Sequence, residues 1–497
     1  MELQFDKTLM KCLRRVLCES DAREQTQEIR LPDAMPDVGN ILGCWGQCVI
    51  RSKEWRADCV SVSGGVQAKV LYMPEEAGMP QCCECWIPFQ MKWDLPEGAA
   101  EGSIVAVPVL KSMDARTLSA RKIMVRSVVS IHMQAMEPTQ FEVCKPLDPP
   151  EDVKLLVRTY PVELPVECSE KAVRLDEEIT LPGPSLGKLV GIDLCPAVSE
   201  HRILAGRLVF RGSCAAHVVY MAEDGSIHNC DLQIPMSQYV DLDMEYGSAA
   251  EADMKHMVTN LEIDKGEDGK LYLKATLSCQ YTVFDRVMLE VVEDAYSPRR
   301  QLKLYGGTLS LPARLEDRSV TLHDQQSIPV QAQRICDVQC CADHPSISRN
   351  GDQADITCAV HYQILYYDEN GDLQCTTARS EQTEKLELSD LAEPVCGTYG
   401  CRNISAEPGA GDLNAQTEIC IQMQTYCADG IRCVTGIELG ELADPDPARP
   451  SLILRRASSE KLWDIAKACG SSVEAICMAN GITSEPEDDR ILLIPVN

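Results

Sequence analysis

The sequence predicts a mainly β protein, built from three repeats of one antiparallel, sandwich-like domain and ending in a small βααβ module. An apolar strand with a tyrosine recurs at residues 70–73, 218–221 and 364–367. A turn with acidic residues or glycine follows each copy, and the third contains Asn370-Gly371, a dipeptide that β-hairpins favour. Alternating apolar and polar residues between such turns favour an antiparallel sandwich or open barrel over an α/β fold.

Other segments recur with nearly the same spacing and support the repeat. Residues 87–89 correspond to residues 234–236, each with a proline at the entry of a strand, where a missing N–H is tolerated. Upstream, residues 28–32 correspond to residues 178–182, with a looser match at 319–322. Several segments recurring at one period indicate that the body of the chain contains three copies of one domain.

Proline-rich stretches predict the domain boundaries, because proline interrupts regular secondary structure and stiffens linkers. The expected units are a first repeat in residues 1–137, a second in 151–293, a third in 299–442, a linker in 443–450 and a terminal module in 451–497. The linker predicts that the terminal module moves as a semi-independent head.

The first residues predict a short amphipathic helix that docks on the first repeat. Its apolar stripe consists of Leu9, Met10, Leu13, Val16 and Leu17. Lys11, Arg14 and Arg15 interrupt this stripe and no small-residue cleavage site follows, which is not typical of a secretory signal. No apolar run approaches the ~18 residues of a membrane span, so we expect a cytoplasmic chain without membrane insertion.

Charge and cysteine content narrow the classes of function. The chain has 497 residues and a formal net charge of −29 at pH 7. Such acidity argues against nucleic acid as a partner, because sequence-independent binding needs clustered Lys and Arg along a phosphate track. The 26 cysteines are spread through every region, and in a cytoplasmic protein we expect reduced thiols packed as small hydrophobes.

Two cysteine clusters are candidate metal or thiol sites. Residues 82–85 read Cys-Cys-Glu-Cys, and the second cluster contains Cys336, Cys340, Cys341 and His344. A zinc site needs four ligands, usually from two Cys pairs, and no second Cys-x-x-Cys pair with suitable spacing is present. We therefore expect no metal and no cofactor. Because the chain also lacks a Gly-x-Ser-x-Gly nucleophile elbow, we expect no enzymatic activity.

The last residues predict a strand, two short helices and a second strand. The strands are expected at residues 452–454 and 491–495. The buried face of the first helix is predicted to contain Leu462, Ile465, Ala466 and Cys469. Ser471 and Glu474 predict a capping box at the second helix, and Gly481 predicts its left-handed end.

This terminal module resembles a LysM domain. The resemblance rests on a Leu-Trp-x-Ile-Ala helix at residues 462–466, an Asn-Gly turn at 480–481 and a Leu-Ile-Pro strand end at 493–495. LysM modules are non-catalytic and bind N-acetylated glycans such as peptidoglycan, so the resemblance implies a recognition role.

The expected ligand groove departs from the LysM pattern in one loop. Where LysM domains carry Gly-Asp-Thr, this chain has Ser459-Glu460-Lys461, which removes a close backbone approach and changes the polarity of the groove. The departure favours protein docking over glycan binding, and a purely structural cap is the third interpretation. Trp463 either lines the groove or packs in the core. The candidate binding residues are Ala457, Ser458, Ser459, Glu460, Lys461, Trp463, Asn480, Gly481, Ile482 and Thr483.

The repeats resemble SPOCS domains, the β-rich units of spore-coat-associated proteins in endospore-forming Firmicutes. The resemblance is carried by residues 31–38, 41–42, 70–72, 87–89, 114–125 and 291–298, and the third repeat departs most from the pattern. SPOCS repeats followed by a LysM module imply a non-enzymatic scaffold or adaptor of the spore coat, in the mother-cell cytoplasm at the forespore surface. The implied partner is a SpoIVA-like coat morphogenetic ATPase, docked through the LysM-like module. The alternative is a peptidoglycan-binding protein targeted to the cortex or cell wall.

Overall fold

The computed structural model describes residues 2–76, 78–266, 270–388, 392–427, 430–443, 450–457, 460–483, 485 and 490–496. Throughout these residues the structure is mainly antiparallel β, which confirms the predicted fold class. In this part of the chain no helix is long and apolar enough to span a membrane.

The first repeat consists of two three-stranded antiparallel sheets packed face to face. Its strands are β1 (Phe5–Arg30), β2 (Val38–Trp55), β3 (Cys59–Pro74), β4 (Gln81–Asp94), β5 (Ser103–Ser119) and β6 (Lys122–Pro146). The strand orders are β1-β6-β5 and β2-β3-β4. Side chains from both sheets, such as Val62, Tyr72, Ile123 and Val129, share one buried core, as in a β-sandwich.

The second repeat has the same topology. Its strands are β7 (Lys154–Ile179), β8 (Leu186–Leu204), β9 (Arg207–Ala222), β10 (Ile227–Asp241), β11 (Glu251–Lys265) and β12 (Leu271–Tyr296). The sheets β7-β12-β11 and β8-β9-β10 enclose a core that includes Phe210, Tyr220 and Leu277. Tyr72 lies opposite Ile41 and Tyr220 lies opposite Leu189, so the two repeats also agree in strand register.

The third repeat follows this plan with interrupted strands. Its strands are β13 (Leu302–Leu309), β14 (Arg314–Ile328), β15 (Arg334–Ala342), β16 (Ser346–Asn350), β17 (Gln353–Tyr367), β18 (Leu373–Glu387), β19 (Ala392–Pro408), β20 (Leu413–Cys427) and β21 (Ile431–Leu439). The pairs β13/β14, β15/β16 and β20/β21 stand where the other repeats have one long strand each. A β-bridge between Arg314 and Glu163 joins the sheets of the second and third repeats.

The strand that carries the repeated tyrosine is buried on both faces. Tyr72 and Tyr220 lie in the sandwich cores of their own repeats. The residues just before the three tyrosines, Leu71, Val219 and Leu365, lie instead in one apolar cluster where all three repeats meet. Because successive side chains of a strand alternate, each copy gives one face to its own core and the other to this junction.

The long strand ends build a second shared core. Here the ribbons β1/β6, β7/β12 and β13/β21 extend beyond their sandwiches and pack together. The buried residues of this core include Cys12, Val162, Leu289, Leu311 and Ile431. The three repeats are therefore joined at two levels, and each level contains side chains from every repeat.

The predicted N-terminal helix is wrong, because residues 5–30 form strand β1 along the length of β6. A β-bulge between Arg15 and Leu17 interrupts the period-2 alternation and creates part of the helix-like apolar spacing. The chain start is also tied to the third repeat, since the Leu3 N–H donates to the Ile437 carbonyl at 2.9 Å.

Two of the predicted boundaries fall inside strands. β6 continues past residue 137 to Pro146, and β12 continues past residue 293 to Tyr296. The pairing of β6 with β5 ends at Met136, and beyond that residue β6 pairs, among the described strands, with β1 alone and has one free edge. Proline is tolerated along such an edge, so the prolines of this stretch mark a strand edge and not a linker.

The terminal module has the predicted βααβ order. It contains β22 (Leu452–Arg456), α1 (Leu462–Cys469), α2 (Val473–Asn480) and β23 (Ile491–Pro495), with β22 antiparallel to β23. Of the predicted linker, residues 444–449 lie outside the described part of the chain.

Candidate functional site

The terminal module folds around the apolar face predicted for α1. Leu462, Ile465 and Ala466 are buried against Ile476 of α2 and Ile494 of β23. Cys469 packs at the margin of this core. A compact hydrophobic centre therefore fixes the two helices and leaves the loops at the ends of α1 and α2 as the surface that could bind a ligand.

The caps of α2 differ from the prediction by one residue. Ser472, not Ser471, is the N-cap, and its hydroxyl accepts the Ala475 N–H at 3.1 Å. Ser471 is unavailable because its hydroxyl donates to the Pro495 carbonyl. Gly481 ends α2 with φ 62°, which confirms the predicted left-handed stop.

The predicted loop before α1 is partly structural and partly exposed. Ala457 is buried, and its N–H donates to the Arg490 carbonyl at 2.8 Å. Glu460 forms an ion pair with Arg455, in which Nη2 of Arg455 donates to both carboxylate oxygens, at 2.7 and 2.8 Å. Lys461 is exposed at the start of α1. Ser458 and Ser459 lie outside the described residues.

The predicted loop after α2 also contains both structural and exposed residues. The Asn480 side chain donates to the carbonyls of Ile476 (2.8 Å) and Leu493 (2.6 Å), and its oxygen accepts the Leu493 N–H at 2.8 Å. The Asn480 side chain therefore links α2 to β23, and these hydrogen bonds leave it little hydrogen-bonding capacity for a ligand. Ile482 packs on the module core, whereas Thr483 is exposed.

Trp463 faces the body of the protein. Its indole N–H donates to the Asp294 carboxylate at 2.8 Å, and its ring lies edge-on against Tyr296 with centroids 4.8 Å apart. Lys467, one turn later on α1, pairs with the same carboxylate at 2.7 Å. Burial by itself raises the pKa of Asp294, but the hydrogen bonds from Lys467 and Trp463 outweigh burial and hold that pKa below its usual value.

Tyr296, the last residue of β12, completes this attachment. Its side chain is 6% exposed within the core of the terminal module, and its hydroxyl donates to the Ser471 carbonyl at 3.0 Å. Burial raises its pKa to about 12, so the hydroxyl stays protonated and able to donate. The module is thus docked on the end of the second repeat through an aromatic pair and a shared carboxylate.

A buried polar cluster that sequence reasoning missed joins the three repeats. Asp337 of the third repeat is 1% exposed and accepts from Trp45 Nε1 of the first repeat at 2.8 Å. It also accepts from His217 Nε2 of the second repeat at 2.7 Å. The other ring nitrogen of His217 lies 2.7 Å from Asp231. Since both nitrogens face carboxylates, both must carry a proton, and His217 is an imidazolium.

The pKa of His217 follows from this geometry. Burial alone lowers it, but Asp337 first and Asp231 second overcome burial and raise the pKa to about 9.

The repeats contain a sequence feature from which Asp337 could have been predicted as a functional residue. Asp337, Gly191 and Gly43 each follow a β-bulge, and their partners Leu365, Val219 and Leu71 each precede a repeated tyrosine. In a repeat-to-repeat alignment Asp337 would therefore have stood out as a carboxylate at a glycine position.

The first cysteine cluster lies on strand β4, where Cys82 and Cys83 are buried and Cys85 is half-buried. Cys83 and Cys85 lie with the core of the first repeat, whereas Cys82 faces the three-repeat junction. Burial raises the pKa of Cys82 and Cys85 to about 11 and that of Cys83 to about 12, so these thiols stay protonated and are weak nucleophiles.

The second cysteine cluster is dispersed. Cys336 lies in the three-repeat junction, and Cys340 Sγ is 3.5 Å from Cys401 Sγ. His344 stacks on His132 with ring centroids 5.3 Å apart. Within the described residues, no group of three or more His, Cys, Asp or Glu side chains is arranged to hold a metal ion.

No protein-family model and no curated protein matches this chain.

Proposed function

We propose that the protein is a non-enzymatic scaffold or adaptor of spore coat assembly, which docks a coat morphogenetic ATPase through its LysM-like module. Three SPOCS-like repeats followed by such a module resemble the architecture of the clostridial morphogenetic protein SipL. In this proposal the protein acts in the mother-cell cytoplasm at the forespore surface.

The observation that carries the proposal is the way the module is attached. The aromatic residue that a glycan groove would use, Trp463, is engaged with Asp294 and Tyr296 of the body. The loop at Glu460 and Lys461 lies at the surface, where the charged side chain of Lys461 is exposed to a partner. This arrangement favours docking of a protein with complementary charge over stacking of a sugar ring.

The two-level packing of the repeats supports a scaffold role. The repeats share buried cores at both levels, so they form a broad body to which the docked module adds one more contact surface. When body and module contact different components, the second contact forms at a high effective concentration and total affinity rises.

The test compares two ligands on the full-length chain. We expect saturable binding of the purified coat ATPase and no binding of muropeptides. Lys461→Glu should weaken ATPase binding by about three- to tenfold, the range of an exposed interfacial charge. Lys461 is the better position for this substitution, because reversing the charge of Glu460 would also break its ion pair with Arg455.

The matched control is Lys171→Glu, which makes the same charge change at an exposed site on strand β7. Binding of muropeptides alone would overturn the proposal and favour targeting to cortex or cell wall. ATPase binding that Lys461→Glu and Lys171→Glu affect equally would exclude the module loop as the docking surface.

A further inference from the structure

A half-open cavity of about 480 Å³ lies between the first and second repeats. Its walls come from the end of β1, from β3 and β4, and from the starts of β8 and β12 with the end of β11. Leu186, Leu189 and Ile263 supply apolar surface, and no part of the proposed docking of the terminal module uses this cavity.

The lining of the cavity is mainly cationic, although the protein as a whole is strongly negative. In a chain of net charge −29, four cations line it, Arg30, Lys69, Lys188 and Lys265, together with one carboxylate, Glu84. Glu84 pairs with Lys69 at 2.8 Å, and Lys69 first and Lys188 second lower its pKa. In the described part of the chain, the other three cations have no carboxylate within ion-pair distance.

The junction between the second and third repeats has a carboxylate that is missing from the junction between the first and second repeats, where the cavity lies. In the second repeat, His217 of β9 lies opposite Asp231 of β10 and reaches on to Asp337 of the third repeat. In the first repeat, Lys69 of β3 lies opposite Glu84 of β4 in the same register. Toward the second repeat, however, the residue that corresponds to Asp337 is a glycine.

That glycine, Gly191, cannot be replaced by a side chain without a rearrangement. A Cβ atom there would stand 2.8 Å from Cγ of Trp45. Among the described residues, the second repeat therefore supplies no carboxylate to Lys69, whereas the equivalent junction has one. Glu84 pairs with Lys69, and Arg30, Lys188 and Lys265 have no described carboxylate as an ion-pair partner.

We propose that this cavity binds an acidic peptide segment of a partner protein, with a ligand carboxylate meeting the cations near Lys69 and Lys188. The apolar walls favour a peptide over a free inorganic anion, because they would bury an aliphatic side chain set between acidic residues. The volume accommodates a few residues, and the open side lets the chain continue. The site deepens the proposed scaffold function by giving the body a contact of its own.

The experiment is calorimetric titration of the full-length protein with N-acetylated, C-amidated pentapeptides. The probes are EELEE, EEIEE and EEFEE, with KKLKK and pyrophosphate as comparisons. We expect saturable binding of the acidic peptides only, weakened by added salt. Lys188→Glu and Lys265→Glu should each weaken binding by roughly fivefold or more, and Lys171→Glu should leave it unchanged.

Circular dichroism of each variant separates lost binding from lost folding, and Lys265 is exposed, so its replacement tests the site without a packing cost. Absence of acidic-peptide binding, binding that the cavity variants do not alter, or binding of pyrophosphate alone would overturn the proposal. The ATPase test uses a substitution of Lys461 on the terminal module, whereas the peptide test uses substitutions in the cavity. Failure of the peptide site can therefore be distinguished from failure of the proposed function.

Discussion

Replacing Asp337 by asparagine removes a buried charge that contacts the first and second repeats from the third, while keeping the shape of the side chain. Asp337 accepts from Trp45 at 2.8 Å and from His217 at 2.7 Å. An asparagine turns an NH₂ group toward one of these donors, so one buried N–H loses its acceptor. We therefore expect the assembly of repeats to weaken at this point.

The expected magnitude follows from the pKa of His217. A rise from 6.5 to about 9 corresponds to about 3 kcal/mol at about 1.4 kcal/mol per unit. The side chain of Asp231 is 80% exposed, so water screens its share, and we assign about 2 kcal/mol to Asp337. The lost acceptor of Trp45 adds about 1 kcal/mol. At pH 6 the substitution should cost about 3 kcal/mol in total.

The cost depends on pH in a defined direction. The folded pKa of His217 lies above its unfolded value, so its stabilisation is fully present below about pH 6.5 and is lost as pH rises through about 9. The free-energy difference between the wild type and Asp337→Asn should therefore shrink toward about 1 kcal/mol at pH 10, where the Trp45 hydrogen bond remains.

The assay is equilibrium urea unfolding, followed by tryptophan fluorescence and circular dichroism between pH 6 and pH 10. Asp352→Asn is the control, since it removes an exposed carboxylate from the same repeat. A difference at pH 6 no larger than that of the control would refute the stabilising role of Asp337. A difference that stays constant across the pH range would refute the charged state of His217.

Two further substitutions test the attachment of the module and the repeat junction. Asp294→Ala removes the acceptor of Trp463 and Lys467, which should cost about 2 kcal/mol of docking and raise the undocked fraction at least tenfold. The measurement is faster release of the module by endoproteinase Asp-N, which cleaves on the amino side of Asp and has sites at Asp444 and Asp446. Gly191→Ala places a Cβ 2.8 Å from the Trp45 ring and should destabilise the protein by about 1–3 kcal/mol in urea unfolding.

Each substitution has a control. Gly400→Ala adds the same methyl group where no atom lies within 4 Å of the new Cβ, so it should change stability by less than about 0.5 kcal/mol. Lys171→Glu leaves the docking contacts intact and should not alter the release of the module by endoproteinase Asp-N. Equal effects of the two glycine substitutions, or unchanged release in Asp294→Ala, would contradict the contacts described above.

Local patterns predicted the β architecture and the βααβ module well, because those features depend on residues close together in sequence. The repeated tyrosine strand matches β3, β9 and β17, and the helical stripe from Leu462 matches α1. The first strand was mistaken for a helix because a bulge near Leu17 broke its alternation, and a single-sequence period cannot distinguish a bulge from a turn of helix.

The candidate site was predicted only in part for a similar reason. Family resemblance placed Trp463 and Asn480 in one groove, but their partners, Asp294 and Leu493, are set by docking and by the closing of β23. Lys461 remains at the surface, as a binding residue requires. Hydrogen-bond partners far apart in sequence are not encoded in any local period.

Strand alternation, turn dipeptides and helix faces are local consequences of side-chain spacing, so the amino-acid sequence is enough to predict a triplicated β body followed by a helical module. How the three copies join depends on their packing against one another. The hydrogen bonds of Asp337 with Trp45 and His217, and the cationic cavity between the first and second repeats, depend on contacts between residues more than a hundred positions apart. Such contacts form because each repeat strand has a second apolar face, which is buried only against the other copies.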